Sequence, residues 1–172
     1  MVFISHYNSP LGGITLASDG EALTGLWFDG QKYFGDTLGY DYQEKDLSVF
    51  VQTRQWLDIY FSGRKPDFIP SLRMDGTPFQ NKVWEILKTI PYGETMTYGE
   101  IAALVAAGQD AGARPGTIRR MSAQAVGGAV GRNPISIIVP CHRVVGAGGS
   151  LTGYAAGLEK KRYLLSLEHP TP

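Results

Sequence analysis

The sequence predicts two units in series: an α/β unit made of an antiparallel sheet with one helix, then a mostly α unit containing a helix-turn-helix. Three observations predict this. Short apolar runs separated by turn dipeptides fill the first 28 residues. Two capping boxes further on, Thr77-Pro78-Phe79-Gln80 and Thr97-Tyr98-Gly99-Glu100, each open a helix. Between the two regions, Arg64 to Gly76 carries proline, glycine and scattered charge, the composition of a linker. The expected limits are an N-terminal unit over 1–70, a linker over 71–76 and a C-terminal unit over 77–172.

In the first unit, residues 2–7 and 13–18 read as strands around the turn signal Asn8-Ser9-Pro10-Leu11-Gly12-Gly13. Asp19-Gly20 marks a tight turn, and 22–28 reads as a third strand. Residues 30–45 show no clear period. An amphipathic helix is expected over 46–61, with Leu47, Phe50, Val51, Trp56, Leu57, Tyr60 and Phe61 on its apolar face. Asp46 is its expected N-cap and Gly63 its stop. No motif here carries chemistry, so the unit reads as mainly structural. His6 reads as an ordinary strand or surface histidine, because no second ligand stands at metal-binding spacing.

In the second unit, Thr77 caps a helix with Pro78 at its first position, and Phe79, Val83, Trp84, Ile86 and Leu87 form the apolar face. Pro91-Tyr92-Gly93-Glu94 is a turn. The next helix runs from Tyr98 to about Ala107, followed by a loop over 108–116. Ser122 caps a short helix of small residues, 123–130. Two capped helices in succession suggest a helix-turn-helix. Apart from Gln124, the second helix lacks side chains that distinguish base edges. Its small residues suit tight helix packing or close approach to a nucleic-acid backbone. After Asn133-Pro134 an apolar run leads to Cys141 and two valines lead away, so the thiol sits between two strand-like segments. Gly146 to Gly149 reads as a hairpin tip, 150–156 as a loop containing Tyr154, and 158–168 as a closing helix burying Leu158, Tyr163, Leu164, Leu165 and Leu167. The tail 169–172 is expected to be disordered.

Composition narrows the function. The chain has 172 residues, is 43% hydrophobic and 19% charged, and is formally neutral. These are globular values, and no uncharged apolar run reaches the roughly 18 residues that span a bilayer. Met1 to His6 shows neither a basic nor an apolar leader region. One cysteine excludes an internal disulfide framework and multi-cysteine zinc sites, and a free thiol suits a reducing cytoplasm. No cofactor or metal is expected. The charge is segregated: residues 1–60 hold eight acids and three bases, a net −5, which leaves +5 for the rest. Residues 111–158 hold Arg114, Arg119, Arg120, Arg132 and Arg143 and no acid, a pattern suited to a polyanion.

Cys141 is the candidate centre of chemistry. A cysteine attacks as thiolate, so its pKa of about 8.5 must be lowered or offset. His142 is adjacent, but neighbours in an extended segment point to opposite sides, so contact requires a turn or a bridging water. Glu159 and Glu168 are the only acids after residue 110 and are candidates to orient the imidazole. A lone cysteine in an apolar run also fits an inert core residue. The Pro-Cys-His-Arg context favours reactivity.

Pro140-Cys141-His142-Arg143-Val144 resembles the active-site motif of the O(6)-alkylguanine-DNA alkyltransferases, or methylated-DNA–protein-cysteine methyltransferases. The resemblance extends through Thr77 to Gln80, Val83-Trp84, Ile90 to Gly93, Thr97 to Ala102, Ala125 to Ala129 and Asn133-Pro134, covering roughly 77–168. It implies a ribonuclease H-like N-terminal domain and a winged-helix-like C-terminal domain. It further implies a monomer that binds double-stranded DNA in the minor groove and flips an alkylated guanine towards the thiol, with O(4)-methylthymine as a second candidate substrate. By position, Cys141 accepts the alkyl group, His142 (through a water) and Glu168 help form the thiolate, and Tyr98 donates to the departing guanine. Asn133 ties the helix-turn-helix to the active-site segment. Backbone groups of Val144 and Ala155 hold the base, Tyr154 walls the pocket, and Ser122, Gln124, Ala125, Gly127 and Arg143 complete the DNA- and base-binding set. No metal site is implied. Two features depart from the family pattern. Gln124 stands where the family places an inserting arginine, and the loop between Leu104 and Ser122 is longer, with Arg114, Arg119 and Arg120 as candidate phosphate contacts. The competing reading is a noncatalytic alkylguanine-binding protein, which Cys141 argues against. A helix-turn-helix transcription factor would need base-reading side chains that the second helix lacks.

Overall fold

A computed structural model of the chain describes residues 1–36, 38–39, 41–110 and 122–170. The expectations for Arg114, Arg119 and Arg120, and for the last two tail residues, lie outside the described residues. The alternating runs at the N-terminus pair as an antiparallel meander of β1 (Val2–Ser9), β2 (Gly12–Ser18) and β3 (Leu23–Phe28). A short β4 (Tyr42–Glu44), not anticipated from the sequence, adds in parallel to β1, giving the order β3-β2-β1-β4. The Asp19 carboxylate accepts from the N–H groups of Glu21 and Ala22, which fixes the β2–β3 turn.

Helix α1 (Ser48–Phe61) covers the sheet. It starts later than the sequence suggests, and Asp46 is not its cap: the N-cap position is Leu47, without a side-chain bond. The Asp46 carboxylate instead accepts from Arg54 Nη2 at 2.6 Å, a charge-assisted bond stronger than a neutral cap bond. The buried stripe is Val49, Phe50, Thr53, Trp56, Leu57 and Tyr60, while Val51 is exposed. Thr53 enters the core because its hydroxyl donates to the Val49 carbonyl at 2.7 Å.

The C-terminal unit holds α2 (Pro78–Leu87), α3 (Tyr98–Asp110), α4 (Ala123–Gly131) and α5 (Leu158–Glu168). Thr77 and Gln80 form the complete reciprocal capping box. Thr97 accepts from the Glu100 N–H at 3.1 Å, and Ser122 caps α4 by accepting from the Gln124 and Ala125 N–H groups. Trp84 Nε1 donates to the Ala129 carbonyl at 2.9 Å, pinning α2 against α4. A two-stranded parallel pair, β5 (Met96–Thr97) with β6 (Val144–Val145), ties the start of α3 to the chain beyond Cys141. Because β6 pairs in parallel with β5, Gly146 to Gly149 does not join two strands of a hairpin; it is a tight turn closed by the Gly149 N–H on the Gly146 carbonyl at 3.0 Å, with Gly148 at a φ of 70°. In α5 the buried residues are Lys161, Leu164 and Glu168, while Leu158 and Tyr163 are exposed, a correction to the expected apolar face.

One apolar cluster runs from Ile14, Leu16 and Phe28 in the sheet, through Phe50 and Leu57 of α1, to Trp84, Ile101, Val126 and Val139. The outer edge of β3 is also used. Leu23 bonds Ser71 and Arg73, and Leu26 bonds Pro134 and Ser136 at 2.8 and 2.9 Å. The sheet edge therefore grips the segment that leads into Cys141.

Candidate active site

The run before Cys141 is apolar and β-branched, yet it is not a strand. The Ile138 N–H bonds the Ser136 carbonyl at 2.8 Å around Ile137, whose φ is 69°. That is a γ-turn of the rarer, strained sense at a β-branched residue. The Cys141 N–H bonds the Val139 carbonyl at 2.8 Å around Pro140 (φ −83°, ψ 66°), an inverse γ-turn. Asn133, buried, holds both turns. Its Nδ2 donates to the carbonyls of Ile135 (3.2 Å) and Val139 (2.8 Å), and its Oδ1 accepts from the Ile135 N–H (3.0 Å). Such strain persists where the surroundings over-determine it. Cys141–Arg143 then form a 3₁₀ turn closed by the Val144 N–H on the Cys141 carbonyl. The chain does turn between Cys141 and His142: Cys141 lines a cavity, while His142 reaches Glu168.

His142 is fully buried, with Nε2 at 2.5 Å from Glu168 Oε2. Glu168 Oε1 accepts from Arg143 Nε at 2.7 Å and from the Gly93 N–H at 3.1 Å. The imidazole nitrogen facing the carboxylate carries the proton, so neutral His142 keeps its lone pair on Nδ1. That Nδ1 is buried and has no hydrogen-bond partner among the described residues. It is an orphaned acceptor, suited to a bridging water.

The electrostatics follow from burial and charge. Burial pushes the Cys141 thiol up, while Asn133, the Lys161 ammonium and Tyr154 oppose that shift. Burial lowers His142 despite the adjacent Glu168 carboxylate, so the ring is a neutral base rather than a fixed cation. Burial would raise Glu168, but the hydrogen bonds and charges of His142 and Arg143 overcome it and hold the carboxyl at about 2. Lys161 Nζ donates to the carbonyls of Thr152 (3.2 Å) and Gly153 (3.0 Å), and burial lowers its pKa.

Cys141 lines a cavity of about 300 Å³ together with Tyr98, Gly127, Asn133, Tyr154 and Ala155. This lies at the small end of the range for ligand sites. Thus six of the residues singled out from sequence converge. Tyr98 Oη donates to the Thr152 carbonyl at 3.0 Å, and the Ala155 carbonyl accepts from the Lys32 N–H at 2.9 Å. The Tyr154 hydroxyl is buried close to Cys141 and Ser136, near enough to act on the thiol but without a well-formed hydrogen bond among the described residues. Ser122, Gln124 and Ala125 stand exposed on the first turn of α4. Along α4, a Cβ on Gly127 would meet the Tyr98 ring at 3.8 Å, whereas one on Gly128 or Gly131 would meet nothing within 4 Å. A Cβ at 3.8 Å is in ordinary contact, so among the described residues helix packing requires glycine at none of the three positions.

Two expectations are corrected. Arg143 does not face DNA: its guanidinium is buried, bonded to Glu168 and, through Nη1, to the Ile90 carbonyl at 2.7 Å. Val144 is buried, its N–H is engaged by Cys141, and it is not part of the cavity lining. Two participants were missed. Lys161 sits in Glu159-Lys160-Lys161-Arg162, which reads as a solvated charge run. Tyr60 reads from the sequence as part of the apolar face of the first helix, but its hydroxyl donates to Glu168 Oε2 at 2.6 Å. Its i+4 spacing from Trp56 marked burial, and nothing in the pattern marked the polar end.

Comparison with known proteins agrees with this arrangement. Residues 2–73 match the ribonuclease-like domain model of 6-O-methylguanine DNA methyltransferase, and residues 78–170 match its DNA binding domain model. The chain is 44% identical over 168 residues to the methylated-DNA–protein-cysteine methyltransferase of Mycobacterium leprae, covering 98% of this chain and 93% of the relative. It is 41% identical over 169 residues to that of Haemophilus influenzae, covering 97% and 86%. A crystal structure of Mycobacterium tuberculosis OGT in complex with DNA is 44% identical, superposes with a TM-score of 0.80, and covers 96% of this chain and 92% of that one. The sequence expectation of the family and of the two-part fold is thereby met: this chain belongs to the methylated-DNA–protein-cysteine methyltransferase family.

Proposed function

We propose that this protein repairs DNA by direct reversal, moving the alkyl group of O(6)-methylguanine in duplex DNA onto its own Cys141. The observation that carries the reading is the position of Cys141: a 6% exposed thiol in the wall of a base-sized cavity, next to a histidine with a free acceptor nitrogen. A thiol so placed cannot reach an atom inside a stacked duplex, so the damaged nucleotide must swing out into the cavity. The exposed, small-residue face of α4 suits close approach to the DNA backbone, with Gln124 entering the stack in place of the flipped base. Ser122, Ala125 and Gly127 lie along that approach.

The thiol proton passes through a water to His142 Nδ1, and Glu168 stabilises the resulting imidazolium. Thiolate Sγ attacks the alkyl carbon in line. The S–C bond forms as the C–O bond breaks, and its electron pair stays on guanine. The guanine is protonated with Tyr98 as donor after exchanging its bond to Thr152; His142 then releases the thiol's proton to solvent and Tyr98 regains one, so the step leaves both residues neutral. The lysine cation beside the sulfur favours the thiolate. Tyr154 and Ala155 border the base, and Asn133 keeps the γ-turns that aim the sulfur. The product thioether is stable, so each molecule acts once. We assign the N-terminal unit to 1–70, the linker to 71–76 and the reacting unit to 77–172, and infer a cytoplasmic site of action, where the thiol stays reduced.

The test is stoichiometry. Duplex DNA carrying one O(6)-methylguanine is incubated with increasing protein, and restored guanine is counted. A plateau at one lesion repaired per protein molecule is expected. Repair of many lesions per molecule, or none with intact binding, would overturn the proposal; the latter would favour a noncatalytic lesion-binding protein.

A further inference from the structure

We propose that Tyr60, carried by the N-terminal unit, is a positioning residue for the transfer reaction: its hydroxyl fixes the Glu168 carboxylate, which in turn holds the His142 ring by Nε2 and leaves Nδ1 as the base. The inference rests on the alkyl-transfer reading above. Glu168 Oε2 is shared by two donors, Tyr60 Oη at 2.6 Å and His142 Nε2 at 2.5 Å, while the Tyr60 oxygen and His142 Nε2 stand 3.4 Å apart. Oε1 has its own two donors, Arg143 Nε and the Gly93 N–H. The carboxylate thus has all four of its acceptor positions filled and a single orientation. Removing the tyrosine hydroxyl would leave Oε2 with the imidazole alone and let the carboxylate turn about Oε1.

The ring is placed for this bond. Tyr60 is fully buried, stacked on Trp56 at 5.2 Å, and met edge-on by Phe61 at 5.5 Å and Tyr92 at 6.2 Å. Packing alone would be satisfied by phenylalanine, because a buried hydroxyl costs free energy unless it is bonded. Its partner is the very oxygen that orients the imidazole. Burial and the Glu168 charge raise the phenol far above its ordinary value, so it remains a donor at every working pH. The N-terminal unit therefore contributes one hydroxyl to the chemistry, beyond its support of the fold.

The test is Tyr60→Phe, read by two pH profiles: alkylation of Cys141 by iodoacetamide in the free protein, and methyl transfer from O(6)-methylguanine in duplex DNA. With one donor fewer, Oε2 favours the protonated imidazole more strongly. The acidic limb of both profiles should move to higher pH by about one unit, the order expected for losing a hydrogen bond to a charged group. Transfer at the plateau should slow about tenfold, since an oriented base contributes at least that much. Trp56→Leu disturbs the same packing but keeps the hydroxyl, and should leave the limb in place. An unmoved limb in Tyr60→Phe, or an equal movement in Trp56→Leu, would overturn the inference. A wild-type protein that takes no methyl group from DNA would instead sink the transfer reading, and the iodoacetamide profile would still decide the role of Tyr60.

Discussion

At the scale of single residues, the site is a chain of buried polar groups whose partners are nearly all accounted for. The exception that matters is His142 Nδ1. A base buried and lowered from its ordinary value of 6.5 stays neutral to lower pH. The sign follows directly: loss of activity on acidification begins when the imidazole gains its proton, so the midpoint of methyl transfer against pH should fall below 6.5. A midpoint above that value would contradict the assignment of His142 as base. Asn133 tests the turns. Asn133→Ala leaves the Ile135 N–H and the Val139 carbonyl without their side-chain partner, at a cost of about 1–3 kcal/mol. Urea unfolding should show that loss, and transfer should slow beyond what the remaining folded fraction explains.

At the scale of elements, α4 and α5 carry the two consequences most open to test. Helix α4 offers an exposed first turn with Gln124 where the family resemblance places an arginine. A cation there adds attraction to phosphate, so Gln124→Arg should bind duplex DNA several-fold more tightly, with a steeper salt dependence, and transfer faster. Unchanged affinity, salt slope and rate would remove Gln124 from the DNA face. Helix α5 ends in Glu168, whose carboxyl is held at about 2 against an ordinary 4.5. A depressed carboxyl stabilises the fold above its unfolded value, and that contribution is lost as pH falls through about 2. Acid unfolding should therefore begin at higher pH in Glu168→Gln, monitored by the loss of near-ultraviolet circular dichroism. Identical acid transitions in both proteins would contradict the ion-pair assignment.

For the whole molecule, the two units share one apolar cluster, and the β3 edge grips Pro134 and Ser136 just before the nucleophile. A chain beginning at Thr77 loses that grip, the α1 packing and Tyr60. It should unfold at lower urea concentration than the full chain, with a smaller m-value. What could be read from the sequence divides along the same line. Capping boxes are local, and Thr77-Pro78-Phe79-Gln80 and Ser122 were legible because their partners lie within three residues. The meander and the Cys141–His142–Glu168 group were legible from alternation, turn residues and motif. Long-range arrangements were not. β4 has three exposed residues and forms against β1. Ile137 to Val139 has the composition of a strand, and the Asn133 side chain bends it into γ-turns instead. Lys161 is buried because the carbonyls of Thr152 and Gly153 receive it, which no local pattern shows.

The central claim is that Cys141 itself keeps the alkyl group. The most direct measurement is the intact mass of the protein after incubation with duplex DNA containing O(6)-methylguanine, followed by peptide mapping. The proposed reaction replaces the thiol hydrogen with a methyl group, so a gain of about 14 Da confined to the Cys141 peptide, and absent in Cys141→Ala, is expected. An unchanged mass while the DNA is repaired, or a methyl group found on another residue, would contradict it.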